Sequence, residues 1–331
     1  MSPRRSLELV CPAGTPAAFA TAVDAGAHAV YCGFNDETNA RNFPGLNFSR
    51  PELEAAIDLA HRNGVKVLVA INTFPRAGEP QAWRAAIDDA ASLGADAAIV
   101  ADIGLLDYAV GRHPKLRLHL SVQAAAANAD AIGFYTDRFN VRRVVLPRVL
   151  TVAEIAAIQR EIRCETEVFV FGGLCVMAEG RCSLSSYATG RSPNMNGVCS
   201  PASHVEYREQ GEELVSRLGG FTINRAGRGE PLAYPTLCKG RFVAGGVTSY
   251  LFEDPASLDA STQIAALGEA GVTALKIEGR QRSRSYTEAV VRAFREAVDR
   301  HARGEAIPAG LLTALTEGQS TTTGAYRKAW R

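Results

Sequence analysis

The chain alternates between short apolar runs and amphipathic segments along most of its length. The apolar runs are rich in Val, Ile and Leu, which is typical of parallel strands buried on both faces, and the segments between them have the apolar spacing of helices. Eight strands are predicted, near residues 7–11, 28–33, 66–72, 97–101, 117–121, 143–147, 167–171 and 273–277. Eight parallel strands joined by helices predict an α/β fold, a TIM-type (β/α)8 barrel.

The joints between helices and strands support this repeat. The segments 24–33, 92–102 and 269–279 each contain a glycine at the expected helix end, followed directly by an apolar strand. Glycine is common just after a helix because it readily adopts the left-handed conformation. We therefore expect a single barrel domain over residues 1–331, with residues 173–272 forming a long insertion before the last strand and helix.

Four cysteines distinguish this insertion from the rest of the chain. Cys175, Cys182, Cys199 and Cys238 form the pattern C-x6-C-x16-C-x38-C in a stretch rich in Gly, Ser and Pro. Disulfides are rare in the cytosol, so metal ligation is the favoured use of these thiols. Zinc cages usually begin with a closely spaced cysteine pair, and no C-x2-C occurs here. The spacing favours an iron–sulfur cluster, while a zinc site and unligated structural thiols stay open.

Polar side chains follow the carboxyl ends of the predicted strands, which share one rim in a TIM-type barrel and carry its chemistry. Three of these residues are arginines, whose guanidinium groups match carboxylates and phosphates. This convergence favours an anionic substrate, whereas Asn72 and Asp102 fit equally well as caps of the next helix. The predicted substrate-binding residues are Arg41, Arg148, Arg280, Asn39, Asn72 and Gln123.

Two titratable residues are candidates for proton transfer. His119 lies on the polar face of the fifth strand, which alternates apolar and polar residues and should point its polar face into the barrel. It is a candidate general base, although a packed or hydrogen-bonded histidine is the commoner outcome. Glu278 follows the eighth strand and is a candidate proton acceptor if burial raises its pKa. A structural ion pair between Lys276 and Glu278 is the alternative.

The composition of the chain limits its expected cellular location and its expected binding partners. The chain has 331 residues, of which 47% are hydrophobic and 21% charged, and its formal net charge is +1. This near-neutral balance gives no general attraction to DNA, RNA or an anionic membrane. The first residues lack the apolar core of a signal peptide, and no run approaches the ~20 apolar residues of a transmembrane helix. We expect a cytoplasmic protein without a transmembrane segment.

Several stretches of the chain resemble one protein family. The segment EVFVFGGLCVMAEGRCSLSSY, residues 167–187, is similar to the signature of the collagenase-like peptidase family, and CPAGTPAAFATAVDAGAHAVYCGF, YPTLCKGR and KIEGRQRS extend the likeness over essentially the whole chain. One departure is Gly173, where the signature usually has Ser or Ala. The family name suggests proteolysis, but neither H-E-x-x-H nor G-x-S-x-G occurs in the chain, so a peptidase is not expected.

The likeness is to the ubiquinone-biosynthesis branch of that family, and it implies oxygen-independent hydroxylation of the ring of ubiquinone precursors under anaerobic conditions. It also implies a 4Fe-4S cluster on the four cysteines named above, a heterodimer with a UbiV-like protein and a UbiT-like lipid carrier. Prephenate is the implied hydroxyl donor, and its two carboxylates would suit Arg41, Arg148 and Arg280. Two other functions stay open. One is hydroxylation of RNA bases, and the other is a non-catalytic scaffold whose insertion is held together by a bound metal.

Overall fold

Eight parallel strands close into a barrel that is surrounded by crossover helices. The computed structural model describes residues 7–177, 179–180, 182–192, 199–230, 232, 234–308, 310, 312, 315 and 320–327. Seven barrel strands pair in chain order, and the eighth pairs in parallel with both the first and the seventh, which closes the sheet. The prediction of a TIM-type barrel is confirmed.

The strands are short, as is usual for such a barrel. In chain order they are β1 (Glu8–Pro12), β2 (Ala29–Cys32), β3 (Lys66–Ile71), β4 (Ala97–Val100), β5 (Leu118–Leu120), β6 (Val141–Val145), β7 (Glu165–Gly173), β8 (Val205–Gln210), β9 (Glu213–Leu218), β10 (Phe221–Gly227), β11 (Arg241–Ala244), β12 (Val247–Tyr250), β13 (Ala256–Asp259), β14 (Ala274–Ile277) and β15 (Ser320–Thr322). The barrel consists of β1 to β7 and β14. Each of these eight begins and ends close to its predicted position.

Most of the described helices begin directly after a residue whose side chain caps them. They are α1 (Pro16–Asp24), α2 (Arg50–Arg62), α3 (Gln81–Ser92), α4 (Ile103–Arg112), α5 (Ala129–Phe139), α6 (Val152–Glu161), α7 (Leu184–Thr189), α8 (Ile264–Glu269) and α9 (Arg284–Arg303). The side chain of Asp102 accepts a hydrogen bond from the backbone N–H of Leu105 at 2.9 Å, so Asp102 caps α4. Gly26, Gly94 and Gly271, at the joints singled out above, all have positive φ. Among the described residues, no helix combines the length and apolar character needed to cross a bilayer.

The barrel interior contains both apolar and charged side chains. The apolar cluster consists of Val10, Ala29, Tyr31, Leu68, Ala70, Ala97, Ile99 and Ala274. Towards the amino-terminal ends of the strands, Arg143 of β6 contacts Glu8 of β1 and both Glu165 and Glu167 of β7. This end of the lumen is therefore closed by paired charges.

The chain between β7 and β14 builds two small antiparallel sheets and then returns to the barrel rim. The strands β8, β9 and β10 form a three-stranded sheet, and β11 pairs with β12. The strand β13 then runs antiparallel to the end of β7, with Leu258 opposite Gly172, and β15 pairs with β13. This pairing anchors the insertion beside the carboxyl end of β7, where the first cysteine follows.

Candidate active site

The carboxyl ends of the barrel strands surround a cavity of about 90 Å³. The loops after the strands form most of its wall, and the start of the insertion forms the remaining side. Asn39 is the one predicted substrate-binding residue outside this lining. The candidate residues that line the cavity are Arg41, Asn72, Gln123, Arg148, Arg280, Glu278, Cys175, Cys182 and Cys199.

Arg148 is buried against a carboxylate and an aromatic ring. Its Nη1 donates to Oε1 of Glu179 at 2.5 Å, and its guanidinium carbon lies 3.6 Å from the centroid of the Phe169 ring. Burial alone would lower the pKa of Arg148, but the negative groups around it, chiefly Glu179, raise it. The positive charge of Arg148 is thus neutralised by Glu179 and is not available to a substrate carboxylate.

Arg280 is equally buried, but its observed hydrogen-bond partner is an amide and not a carboxylate. Its Nη1 donates to Oδ1 of Asn39 at 2.6 Å, and its guanidinium carbon lies 5.5 Å from the centroid of the Tyr31 ring. No carboxylate of the described chain lies within salt-bridge distance of this guanidinium group. Burial lowers the pKa of Arg280 to about 10, and repulsion from Arg41 acts in the same direction. An anion bound here would supply the missing negative charge.

Glu278 is an ionised carboxylate and not a proton acceptor with a raised pKa. Its Oε1 lies 3.9 Å from Nε of Arg41, and its Oε2 accepts a hydrogen bond from the backbone N–H of Gly173 at 3.1 Å. Burial alone would raise the pKa of Glu278, but Arg41, Arg148 and the Gly173 N–H lower it. The condition under which Glu278 was a candidate proton acceptor, a raised pKa, is therefore not met, and Glu278 is a weak base.

The absence of a side chain at Gly173 brings β7 close to this carboxylate. A Cβ at Gly173 would lie 3.3 Å from Oε2 of Glu278, a tighter approach than nearly all real Cβ contacts. The neighbouring Gly172 has a φ of +111°, and a Cβ there would lie 2.8 Å from the Glu278 carbonyl oxygen. The departure from the family signature at Gly173 thus fits the close packing of β7 against Glu278.

Lys276 is paired with Glu167 and not with Glu278. Its Nζ donates to Oε1 of Glu167 at 2.6 Å and lies 3.8 Å from the centroid of the Tyr31 ring. Burial lowers the pKa of Lys276, while Glu167 opposes that shift. The predicted Lys276–Glu278 ion pair is wrong, because the partner comes from the neighbouring strand β7.

His119 is a packed histidine inside the barrel. Only 2% of its surface is exposed, and its Nε2 accepts a hydrogen bond from Nε of Arg117 at 3.1 Å. Burial, followed by repulsion from Arg143 and Arg117, lowers the pKa of His119 well below its usual value. The ring is neutral and is not among the residues that line the cavity. This geometry favours the packed alternative over the general base.

The two predicted asparagines hold the rim loops in place. Oδ1 of Asn39 accepts from both Arg280 and the backbone N–H of Arg41, while its Nδ2 donates to a backbone carbonyl. Oδ1 of Asn72 accepts from the backbone N–H of Ala40 at 3.0 Å. Asn72 therefore fixes the loop after β2 and does not cap a helix. Asn39 acts on the cavity through Arg280.

Gln123 lies where the cysteine-bearing segment packs onto the barrel. It sits on a one-turn 3-10 helix, Val122–Ala124, directly after β5. A Cβ at Gly180 would come within 2.0 Å of the Gln123 carbonyl oxygen, and Gly180 has a φ of +77°. Only glycine fits this contact without rearrangement. The glycine thus allows the signature segment to dock against Gln123.

The four cysteines of the predicted metal site have thiol groups that neighbour one another. Cys175 interacts electrostatically with Cys199, and Cys238 does so with both Cys199 and Cys182. Burial raises the pKa of Cys175 to about 12 and that of Cys238 to about 11. Thiols that are up to 63 residues apart in the sequence are thus brought close together, and Cys175, Cys182 and Cys199 line the cavity.

Positive charges surround these thiols. Arg41 interacts with Cys199 and Cys175, and Lys239 interacts with Cys238 and Cys175. A cluster held by four thiolates carries net negative charge, which these cations would offset, so the donor set and its surroundings fit such a group. The described residues contain no group of three or more His, Cys, Asp or Glu side chains arranged to hold a metal ion. The cluster therefore stays a prediction.

Sequence reasoning missed two residues that shape the cavity. Glu179 lies within the quoted signature, and an acidic side chain between Cys175 and Cys182 was a visible signal. Its link to Arg148 was not visible, because it joins an insertion loop to the loop after β6. Tyr31 gave no signal at all, since an aromatic residue within an apolar strand is normally part of the core.

A family model described as Peptidase family U32 matches residues 14–326. The tRNA hydroxylation protein P of Escherichia coli (strain K12) is 31% identical over 327 residues, which cover 93% of this chain and 71% of that protein. The 23S rRNA 5-hydroxycytidine C2501 synthase of the same organism is 30% identical over 296 residues, 88% of this chain and 39% of that protein. The solved U32 peptidase Mk0906 shows 19% identity and a TM-score of 0.43, over 50% of this chain and 69% of that one.

Proposed function

The chain belongs to peptidase family U32, and on that basis we propose that it is a component of an oxygen-independent hydroxylase. Relatives at about 30% identity are named as hydroxylating proteins, which supports a hydroxylating enzyme. The sequence stretches quoted above resemble UbiU, the ubiquinone-biosynthesis member of the family. They therefore support a protein of the UbiU type. In this proposal the protein hydroxylates the ring of ubiquinone precursors in cells growing without oxygen.

One observation carries the proposal. Three of the four cysteines line the same cavity as Arg41, Arg280 and Glu278, at the end of the barrel where TIM-type enzymes place their chemistry. Thiols that could ligate a redox group therefore share a wall with charged residues that could bind a substrate. In a non-catalytic scaffold the metal would only stabilise the insertion. Such a scaffold would not require thiols and charged residues in the same cavity.

The cofactor of this proposal is a 4Fe-4S cluster held by Cys175, Cys182, Cys199 and Cys238. Replacing a ring C–H by C–OH withdraws two electrons, which a bound cluster would pass one at a time to an external electron acceptor. Arg41 and Lys239 offset negative charge at the thiolates. Phe169 and Tyr31 exclude water from the floor of the cavity because both rings are almost fully buried.

Arg41 and Arg280 are the proposed anion-binding residues, and prephenate is the proposed hydroxyl donor. Arg280 has no carboxylate partner in the described chain, and Arg41 lines the same cavity with its Nε 3.9 Å from Glu278. Asn39 orients Arg280 through their 2.6 Å hydrogen bond. Of the three arginines predicted from the sequence, Arg148 is left out, since Glu179 already neutralises it.

The proposed partners are a UbiV-like protein, in a heterodimer, and a UbiT-like lipid carrier. Exposed apolar side chains on the insertion support a protein partner there. Tyr187 is 79% exposed, Val243 72% and Val247 64%, although all three are large apolar residues. Surfaces of this kind are common where proteins meet.

Hydroxylation of an RNA base is the second candidate, because the relatives described above act on tRNA and rRNA by name. The formal net charge of +1 is an argument against it. Proteins that bind RNA through phosphates usually carry a marked excess of Lys and Arg. A local basic surface is still compatible with this charge, so the choice needs an experiment.

The decisive experiment is complementation of a strain that lacks this gene, grown without oxygen. Ubiquinone and its unhydroxylated precursors are quantified by mass spectrometry beside the hydroxylated nucleosides of total RNA. We expect the wild-type gene to restore ubiquinone and leave the nucleosides unchanged. Restoration of a hydroxylated nucleoside, with ubiquinone unaffected, would establish the RNA candidate instead.

A further inference from the structure

Strand β7 contains one residue more than its pairing with β14 requires. Lys276 of β14 lies opposite Phe169, but the next residue of β14, Ile277, lies opposite Phe171. Val170 is therefore an extra residue, a β-bulge in the barrel wall. A bulge disrupts the ladder locally and redirects the side chains that follow it, and bulges are frequent beside active sites.

The bulge changes the side of the barrel to which the β7 side chains point. Phe169 and Phe171 are two residues apart, so in a regular strand both would face the same side. Phe169 lines the cavity, where its ring lies against Arg148. Phe171 packs on the outer helix α9, with its ring centroid 5.6 Å from that of Phe294. The bulge thus places an aromatic ring in the cavity and sets the direction of the segment that ends at Cys175.

Two segments from outside the barrel hold carbonyl groups at the bulge. The backbone N–H of Ala260, directly after β13, donates to the carbonyl oxygen of Val170 at 2.8 Å. The hydroxyl of Tyr326 donates to the carbonyl oxygen of Phe169 at 2.5 Å. Because β13 pairs with both β7 and β15, the insertion and the tail form one layer over the end of β7. These donors satisfy backbone acceptors where the ladder is irregular.

The tail also contacts β7 on the far side of the bulge. Gly324 lies on the same 3-10 helix as Tyr326, Gly324–Arg327, and a Cβ at Gly324 would lie 3.3 Å from Cδ1 of Leu174. Leu174 directly precedes Cys175. Tyr326 itself is only 6% exposed. One short helix therefore touches the strand both before the bulge and at the residue that precedes the first cysteine of the predicted metal site.

We propose that Tyr326 is a positioning residue whose hydroxyl fixes the β7 bulge and so directs Phe169 and Cys175 towards the cavity. Tyr326 is not among the residues that line the cavity, so it acts through Phe169. A slip of one residue would turn the side chains of this segment to the opposite side. The role of Tyr326 in the reaction rests on the proposed function, in which Cys175 is a cluster ligand. Its role at the bulge does not.

The test is Tyr326→Phe, which keeps the ring in the core and removes only the hydroxyl. Hydrogen–deuterium exchange of the full-length protein, purified without oxygen, is followed by mass spectrometry. We expect the amides of residues 168–175 to exchange about fivefold faster than in the wild type, because one lost hydrogen bond shifts a local opening equilibrium by about that factor. The peptide that contains β4 should exchange at the wild-type rate, which separates local opening from a general loss of stability.

Tyr108→Phe is the matched control. The hydroxyl of Tyr108 also donates a hydrogen bond, to a carboxylate oxygen of Asp88 at 3.0 Å, but it joins the outer helices α3 and α4. This variant should leave the exchange of residues 168–175 unchanged. A second readout is the rate at which a ferrous chelator removes iron from the protein. That rate should rise about fivefold in Tyr326→Phe and stay at the wild-type value in Tyr108→Phe.

Unchanged exchange of residues 168–175 in Tyr326→Phe, or a rise that the β4 peptide shares, would overturn the inference. So would the same rise in Tyr108→Phe. If the exchange is unchanged while the complemented strain makes ubiquinone, Tyr326 loses its positioning role and the proposed function stands. If the wild-type protein holds no iron and the strain makes no ubiquinone, the proposed function fails, and a selective rise in exchange still supports the role of Tyr326 at the bulge.

Discussion

One buried arginine at each end of the barrel lumen, Arg143 and Arg280, shows a contrast in how buried charge is held. At the amino-terminal end, Arg143 contacts Glu8, Glu165 and Glu167 at 2.8, 2.6 and 3.2 Å. At the mouth, Arg280 is just as buried but contacts the amide oxygen of Asn39 and no carboxylate of the described chain. Within the described chain, the fold thus surrounds Arg143 with carboxylates but places none within salt-bridge distance of Arg280.

This difference separates groups that serve folding from groups that await a ligand. A buried ion pair that is fully compensated contributes little when intact, but breaking it exposes a charge to a medium that solvates it poorly. A buried charge without a partner is a cost that selection keeps only where a ligand or a reaction needs it. The proposed function therefore places the reaction at the mouth, beside Arg280 and the thiols.

The largest effect is expected for the thiols of the mouth. Cys199→Ser should reduce anaerobic ubiquinone production to the background of the deletion strain, because a cluster that loses a thiolate ligand is bound weakly or not at all. Production is measured by mass spectrometry of extracted quinones. Cys164→Ser is the control, since Cys164 is a free cysteine beside the start of β7, and it should leave production unchanged. If both variants made as much ubiquinone as the wild type, the four thiols would have no role in the proposed function.

The next largest effect concerns the paired end of the lumen. Arg143→Met should lower the free energy of unfolding by about 3–5 kcal/mol, because it leaves Glu8, Glu165 and Glu167 without their shared cation. Urea denaturation followed by circular dichroism measures this change. A variant as stable as the wild type would show that the charge network does not hold this end together.

The ion pairs around Arg143 should also make the stability of the protein depend on acidic pH. Burial opposes ionisation of Glu8, but hydrogen bonds and charge from Arg143 and Lys66 lower its pKa to about 2 from 4.5. The folded pKa is below the unfolded one, so the stabilisation is fully present above pH 4.5 and is lost as the pH falls towards 2. It amounts to about 3 kcal/mol at neutral pH. Glu8→Gln should remove this acid-dependent loss when unfolding is measured from pH 5 to pH 2.

A smaller effect is expected for Arg280 at the mouth, and it tests the contrast with Arg143. Arg280→Met should reduce the rate of quinone formation about tenfold or more, because an anionic substrate loses its buried cation. The free energy of unfolding should stay the same or rise, since an unpaired buried charge is removed. Loss of stability as large as that of Arg143→Met, measured in the same urea assay, would mean that Arg280 has a structural partner after all.

Most of the fold followed from the sequence because it depends on local patterns. Strand-length apolar runs and glycines such as Gly26 and Gly94 report the barrel repeat directly, and both glycines adopt the expected positive φ. The presence of Cys175 and Arg41 in one cavity followed from barrel topology, because both come after barrel strands. These features require no knowledge of which side chains meet across the barrel.

The pairing of charges could not be predicted in the same way. Lys276 and Glu278 are two residues apart and so face the same side of a strand, which made their ion pair plausible. The actual partner of Lys276 is Glu167 on the neighbouring strand, and the pKa of Glu278 is lowered by Arg41 from another loop. Such contacts depend on the register between strands and on loop packing, neither of which a single sequence reveals.

The central claim is that the thiols at the mouth hold a redox cluster beside the substrate cavity. The most direct test is the iron, acid-labile sulfide and zinc content of wild-type protein purified without oxygen, expressed per chain. The account predicts about four iron atoms and about four sulfides, with no stoichiometric zinc. One zinc per chain without iron, or protein that binds neither metal yet supports ubiquinone production, would contradict it.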